Sequence, residues 1–293
     1  MPSPQLKSNT SIYLLLIALI LVWSLSWPVA KIGFEYITPL WFAAYRLLVG
    51  AITMLIVVAG IGKLHWPARE DIKIIVTIGL LQIGLFMALI CAGLFYVEPG
   101  RAAVLVYTTP IWVVPISILF FHEKPGLLKW IGCLLGLIGV LFLFNPYEIN
   151  LHNHLIVTGY IILLFAALSW AISILCARYM SWPHAPIELI FWQLLVGALP
   201  VLAIAIIKEP HTHVIWNHTF VWCLLYLGIF ATGFAYWGTI VVSKNLSPIT
   251  TSLSLLAVPV FGLIFSALIL HEQITLSLIM AMILIVAGLV CVI

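Results

Sequence analysis

The sequence predicts an all-α integral membrane protein of ten transmembrane helices, arranged as two inverted five-helix repeats. Three observations carry this: composition, the recurrence of long apolar runs, and an internal repeat. Hydrophobic residues make up 65% of the 293-residue chain and charged residues 7%, against roughly 45–50% and about 25% in soluble proteins. Length alone would permit one or two soluble domains, but 12 Lys+Arg and 9 Asp+Glu are too few to solvate such a surface. A net charge of +3 from singly scattered cations is no nucleic-acid footprint. The five cysteines (Cys91, Cys133, Cys176, Cys223, Cys291) all lie in apolar stretches without a C-x-x-C pair. They read as packing residues, not as a disulfide framework or zinc site, and no metal or cofactor is expected.

A helix crosses the hydrocarbon core in about 20 apolar residues. Uncharged runs of that order span Ile12–Ala30, Ile74–Val97, Ala102–Phe121, Leu155–Ala177, Leu189–Ile207, Phe220–Ser243, Leu246–Leu270 and Ile274–Ile293. Leu40–Ala59 and Leu127–Phe144 qualify with one charge each, Arg46 and Lys129. Backbone groups in lipid must be satisfied internally, and these runs lack period-2 alternation, so the spans are helices rather than barrel strands. The first run is too long for a cleaved signal peptide and lacks a small-residue cleavage site.

Lys and Arg set the orientation. With the N-terminus inside, cytoplasmic segments carry Lys7, Lys63, Arg69, Lys73, Lys124, Lys129, Arg178 and Lys244. Outer segments carry Lys31, Arg101 and Lys208, and Arg46 lies within the membrane. The expectation is an inner (plasma) membrane protein with both termini cytoplasmic.

At an offset of 147, Trp23 matches Trp170, Ser26 matches Ser173, Pro39 matches Pro186, and Arg46–Gly50 matches Gln193–Gly197. After a two-residue slip, Gly79 matches Gly228, Gly84 Gly233, Pro99 Pro248, Pro110 Pro259, His122-Glu123 His271-Glu272, and Gly139 Gly288. Agreement among Trp, Pro, Gly and a His-Glu pair exceeds what an apolar composition supplies by accident. The repeats are residues 1–147 and 148–293. Five helices per half is odd, so the second half enters the membrane from the opposite side. Inverted repeats of this kind mark transporters that expose a midplane site alternately to either face.

Trp23-Ser24-Leu25-Ser26, Arg46, Pro110 with Glu123 thirteen residues on, and Gly132, Gly136 and Gly139 together resemble the EamA-like branch of the drug/metabolite transporter superfamily. Pro259 and Glu272 repeat the spacing, while Gln193 and Ala281 depart from Arg46 and Gly132. The resemblance covers nearly the whole chain. It implies that helices 1, 3, 4, 6, 8 and 9 surround a central cavity, with helices 5 and 10 peripheral. It also implies export of amino acids or related metabolites, with nucleotide sugars or sugar phosphates carried by more distant members.

Arg46 is the one formal charge deep in a span. It either lines a cavity or serves structure, by capping carbonyls or pairing with Glu35 or Glu98. Pro110 and Pro259 fall mid-helix, where the missing N–H should kink the helix and free a carbonyl. Glu123 and Glu272 read as caps or partners for loop cations, with a gate contact the rarer alternative. Trp23, Tyr107, Trp112, Trp170, Tyr236 and Trp237 lie too deep for interface anchors. With Gln82 and Phe86 they suggest an amphipathic cavity, core packing being the alternative. Gly132-x-x-x-Gly136 reads as helix packing within the chain, with a dimer face as the alternative. The outer-loop histidines His152, His154, His211, His213 and His218 read as solvated, and Asn217-His218-Thr219 is a formal glycosylation sequon beside the membrane.

No carboxylate falls within the central part of any span, and the single Asp, Asp71, falls in a cytoplasmic loop, so a mid-membrane acid should not drive transport. With Arg46 alone at depth, a multi-cation phosphate site is not expected. The predicted function is therefore secondary export of amino acids or similar small neutral, zwitterionic or aromatic metabolites. A nucleotide-sugar exchanger is the alternative, and a monomer or weak homodimer is expected. A membrane scaffold ranks below both. An intramembrane enzyme ranks lowest, since neither H-E-x-x-H nor G-x-S-x-G occurs.

Overall fold

A computed structural model describes residues 9–94, 96–97, 102, 105–144, 154–270 and 276–291. Lys7, Glu98, Arg101, His152, His271 and Glu272 lie outside the described residues. The described residues form ten helices and no strand. They are α1 (Asn9–Gly33), α2 (Pro39–Gly60), α3 (Arg69–Ile78 with Gly79–Leu85 and Phe86–Leu94), α4 (Thr109–Phe121) and α5 (Leu127–Phe144). The second set is α6 (His154–Tyr179), α7 (Pro186–Lys208), α8 (His218–Leu225 with Tyr226–Phe234 and Ala235–Asn245), α9 (Pro248–Ser254 with Ala257–Leu270) and α10 (Leu276–Val290). Seven of them, α1, α2, α3, α6, α7, α8 and α9, are long and apolar enough to cross a membrane. Within the described residues α4, α5 and α10 are shorter, at 13, 18 and 15 residues.

Four of the helices are not regular throughout. In α3 the stretch Gly79–Leu85 and in α8 the stretch Tyr226–Phe234 are π-helical. They occupy equivalent places at the offset of 149 and hold the paired glycines Gly79/Gly228 and Gly84/Gly233. The expected bends at Pro110 and Pro259 take a different form: the helix breaks in the turn just before each proline. Pro110 offers no N–H to the Val106 carbonyl, and the Thr109 hydroxyl donates to that oxygen instead at 2.9 Å. The Thr108 hydroxyl donates to Leu105 O at 2.6 Å. Pro259 leaves Leu255 O without its i+4 donor, and Val258 N–H takes it at 3.0 Å. The expected continuous spans Ala102–Phe121 and Leu246–Leu270 are therefore interrupted, at residues 107–108 and 255–256.

The most extensive helix packings have counterparts five helices on. Helices α1 and α9 pack together, as do α6 and α4; α2 packs on the π stretch of α8, and α7 on that of α3. The pairs α2·α7 and α5·α10 are their own counterparts. Small residues permit the close approaches. A Cβ added at Gly197 would sit 2.5 Å from Ile83 and 2.6 Å from Gly79 O; one at Gly228 would sit 2.4 Å from Val49. At Gly288 it would lie 2.7 Å from Gly132 O, so the Gly132-x-x-x-Gly136 face is occupied within the chain by α10.

Loops lace the halves together at both ends. At one end Lys63 pairs with Glu188 at 2.8 Å, Trp192 Nε1 donates to His65 O at 3.1 Å, and His184 Nδ1 lies 2.9 Å from Asp71. Asp71 is fully buried in the first turn of α3, where it accepts the Ala68 N–H at 2.9 Å, rather than in a loop as expected. At the other end Thr38 donates to Glu209, and Trp41 Nε1 donates to Glu209 O at 2.9 Å. There too Ile215 N–H donates to Tyr36 O at 3.0 Å. Asn217 caps α8, its side chain accepting Phe220 N–H at 2.7 Å.

Gly197→Leu should cost about 1–3 kcal/mol through overpacking, lowering the melting temperature in detergent by roughly 2–10 °C. Gly60→Ala, where nothing lies within 4 Å of the new Cβ, should leave it unchanged. The hydrogen bond to Asp71 raises the pKa of His184 above its ordinary value. The contribution of this pair is then complete below about pH 6.5 and is lost as pH rises through the raised value. Melting curves between pH 5 and 9 should show that slope in the native protein and a flatter one in His184→Gln.

Candidate functional site

A cavity of about 120 Å³ lies between the two halves, room for about four water molecules at roughly 30 Å³ each. One helical face of each element builds it. Trp23, Ser26, Trp27, Ala30 and Lys31 come from α1, Phe34 from the turn after it, and Pro39, Phe42, Ala43 and Arg46 from α2. Phe86, Met87, Ile90 and Cys91 come from α3, and Val106, Tyr107 and Thr109 from the break before α4. The second half adds Trp170 from α6, Tyr236 from α8, and Ser252 and Leu255 from α9. The mouth lies beside the exposed Lys31, at the end where α1 finishes and α2 begins.

An aromatic cluster forms the floor. Trp23 meets Trp170 edge-on at 5.3 Å, Trp170 lies 5.8 Å from Tyr236, and Phe86 lies 4.5 Å from Trp170. Trp23 Nε1 donates to Ala231 O at 3.1 Å. In the wall, Trp27 Nε1 donates to the Tyr107 hydroxyl at 3.3 Å. Arg46 donates through Nε to Thr232 Oγ1 at 3.1 Å and through Nη2 to Ala231 O at 3.4 Å. Both partners belong to the π stretch of α8. Among the described residues no carboxylate pairs with Arg46, so the expected alternative of a Glu35 pairing does not form.

Beyond the floor the bundle is closed. The Phe121 and Tyr179 rings stack at 3.9 Å, and the Tyr179 hydroxyl donates to Glu123 Oε1 at 2.6 Å. Arg178 donates to the Lys244 carbonyl, the Lys244 ammonium sits 4.7 Å over the Trp182 ring, and Lys129 Nζ reaches Ser247 Oγ at 3.2 Å. Between floor and seal lie buried polar atoms with no hydrogen-bond partner among the described residues. These include both amide atoms of Gln193, Gln82 Oε1 and the hydroxyls of Ser243, Thr251 and Ser254. Gln193 is the repeat counterpart of Arg46 and is fully buried.

Six of the nine residues expected to line a cavity are brought together here: Trp23, Arg46, Phe86, Tyr107, Trp170 and Tyr236. Gln82 is buried beyond the lining, Trp237 packs half-buried on Phe234 at 5.9 Å, and half-buried Trp112 in α4 has a sequestered Nε1 with no partner. Sequence reasoning missed α2 as a wall, and it missed Trp27, Phe42, Met87 and Cys91. Their signal was available: Trp27 follows Trp23 by four residues, Phe42 precedes Arg46 by four, and such spacing shares a helix face. Among the described residues no three of His, Cys, Asp or Glu gather to hold a metal ion.

Comparison with known proteins places this architecture. The model of the EamA-like transporter family matches twice, over residues 10–145 and 157–293. The chain belongs to the EamA-like transporter family. It is 32% identical over 274 residues to an uncharacterized transporter, YoaV, of Bacillus subtilis (strain 168), covering 93% of each chain. A probable amino-acid metabolite efflux pump of Salmonella typhimurium is 29% identical, over 94% of this chain and 92% of that one. One of the same description from Escherichia coli is 28% identical, over 89% and 87%. A solved structure superposes with a TM-score of 0.80 at 20% identity, over 97% of this chain and 96% of the other, and shares the fold. The protein is thus a multi-pass membrane transporter of small molecules and not an enzyme.

Trp170 touches Trp23, Phe86 and Tyr236 at once. Trp170→Ala should cost about 3–5 kcal/mol, and Trp170→Phe clearly less, as thermal melts of the purified protein would measure.

Proposed function

We propose that the protein is a secondary, non-ATP carrier that exports amino acids or similar small neutral, zwitterionic or aromatic metabolites by alternating access. The observation that carries this reading is the polarity of the solute path: a cavity with a mouth at one end and a stacked, hydrogen-bonded seal at the other. On this reading the ten helices all span the membrane. Residues 1–147 and 148–293 are inverted repeats, and exchange of their conformations opens the sealed end. The two family matches, the paired π stretches and the contact scheme support it. The buried, unpartnered amide of Gln193 fits a second half-path that becomes wetted when the seal opens, since orphaned polar groups are costly in a permanently dry core.

Lys and Arg placement supports cytoplasmic termini in an inner-membrane protein, and on that reading the cavity in this structure faces outward. Export as the direction, and amino acids as the class, rest on the names of two relatives. The mechanism uses the seal as the inner gate: Tyr179 parts from Glu123, and Arg178 from the Lys244 carbonyl, while the mouth beside Lys31 narrows. The nucleotide-sugar alternative is disfavoured, because only Lys31 and Arg46 among the lining residues carry positive charge and a diphosphate calls for several cations.

The test is reciprocal labelling in proteoliposomes, in a background with the five native cysteines replaced. Phe34→Cys at the mouth should react with an impermeant maleimide and Ser243→Cys beneath the seal should not. Imposing a gradient of mixed amino acids should lower the first rate and raise the second. Constant rates at both positions under every gradient would remove the carrier reading.

A further inference from the structure

We infer that Arg46 is the carboxylate-recognition residue of the cavity, and that the solute it takes is an amphipathic monocarboxylate for which an α-ammonium group is dispensable. This rests on the reading of the cavity as the solute site and narrows its substrate class.

The first support is the state of the guanidinium. Arg46 presents five N–H donors, and two of them are used, one to Thr232 Oγ1 and one to Ala231 O. Both acceptors are neutral, and no carboxylate pairs with Arg46 among the described residues. The group is only partly enclosed by protein, and the space it faces is the cavity. A positive charge held within a membrane protein calls for an anion or water, and the acceptors that the described residues offer it are dipoles. The three remaining donors include the Nη1 edge, and a planar fork of this kind suits a carboxylate.

The second support is what holds the fork in place. Its two anchors lie in the π stretch of α8, and Trp23 shares the Ala231 carbonyl with it. A Cβ at Gly50, one turn from Arg46, would sit 2.7 Å from Thr232 Cγ2. Arg46 is therefore fixed by close backbone packing and aimed, not left to swing.

The third support is the rest of the lining. Besides Arg46 the described lining residues include one charged side chain, Lys31 at the mouth, and no Asp or Glu. Among the described residues an ammonium group entering with the solute meets no counter-charge, and most of the wall it meets is aromatic or aliphatic. The body of the solute meets Trp23, Trp27, Phe86, Tyr107, Trp170 and Tyr236, which offer an aromatic or branched apolar fit. One fixed cation within neutral walls matches a monoanion better than a dianionic phosphate.

Equilibrium binding of radiolabelled 3-phenylpropionate to the purified native protein, with competitors, tests this. L-phenylalanine should compete, while phenethylamine and 3-phenylpropanamide should compete about tenfold or more weakly. Phenyl phosphate should gain nothing over the carboxylate. Arg46→Gln should lower 3-phenylpropionate affinity about tenfold or more and leave 3-phenylpropanamide binding unchanged, with Arg46→Lys in between. The wild-type ligand series stands whether or not Arg46→Gln folds. Absence of saturable 3-phenylpropionate binding overturns the inference. So does equal competition by the amine or amide, tighter binding of phenyl phosphate, or unchanged affinity in folded Arg46→Gln. Because binding is read without transport, constant cysteine labelling together with Arg46-dependent binding would remove the carrier reading alone.

Discussion

In lipid, no water stands ready to complete a backbone hydrogen bond, and that constraint organises this molecule. It forces the chain into helices, and it makes each irregularity in a helix a local problem with a local answer. Around the cavity the irregularities accumulate: two π stretches and two breaks before prolines. Each is satisfied nearby. Thr108 and Thr109 hydroxyls reach back to their own turn, Val258 N–H takes over for Pro259, and Ala231 O receives Trp23 and Arg46. The site is built where helix regularity fails, because there polar backbone atoms become available to side chains.

The π stretches also account for how the halves meet. Each places glycines against a helix of the other half, Gly79 and Gly84 against α7 and Gly228 and Gly233 against α2. Backbone approaches backbone, with Gly197 on one side and Gly50 on the other. Apolar attraction between helices is weak in lipid, so close packing of small residues supplies the association. The same approach carries Arg46 and its counterpart Gln193 to equivalent positions on opposite sides of the aromatic floor. One meets a cavity with a mouth; the other is sealed in. That asymmetry between chemically unequal partners makes one half of the interior charged and the other neutral.

The ten helices and the likeness to EamA-like transporters were legible in the sequence because they depend on composition and on rare residues recurring at fixed offset. Six lining residues were legible for a related reason: a Trp, Tyr or Arg deep in a span carries polar atoms that lipid cannot satisfy, so it turns toward protein or a wetted space. What escaped were residues whose role depends on rotation about a helix axis. Trp237 and Tyr236 are neighbours in sequence, yet only Tyr236 reaches the cavity. Gln82 lies four residues before Phe86 in α3, but the π stretch between them changes the phase of the helix. Asp71 looked like a loop residue and is buried against His184, since the partner lies 113 residues away.

The sequence by itself determined that this protein lives in a bilayer as apolar helices and that its two halves each match one family pattern. Solvent preference and repetition are additive along a chain and need no contacts to be read. Only the tertiary structure decided where the cavity lies, where helices break, and that Arg46 lines the cavity with no acid paired to it among the described residues. Those depend on which helix faces cross between the halves, and that is fixed by the fit of glycine against backbone over distances no local pattern encodes.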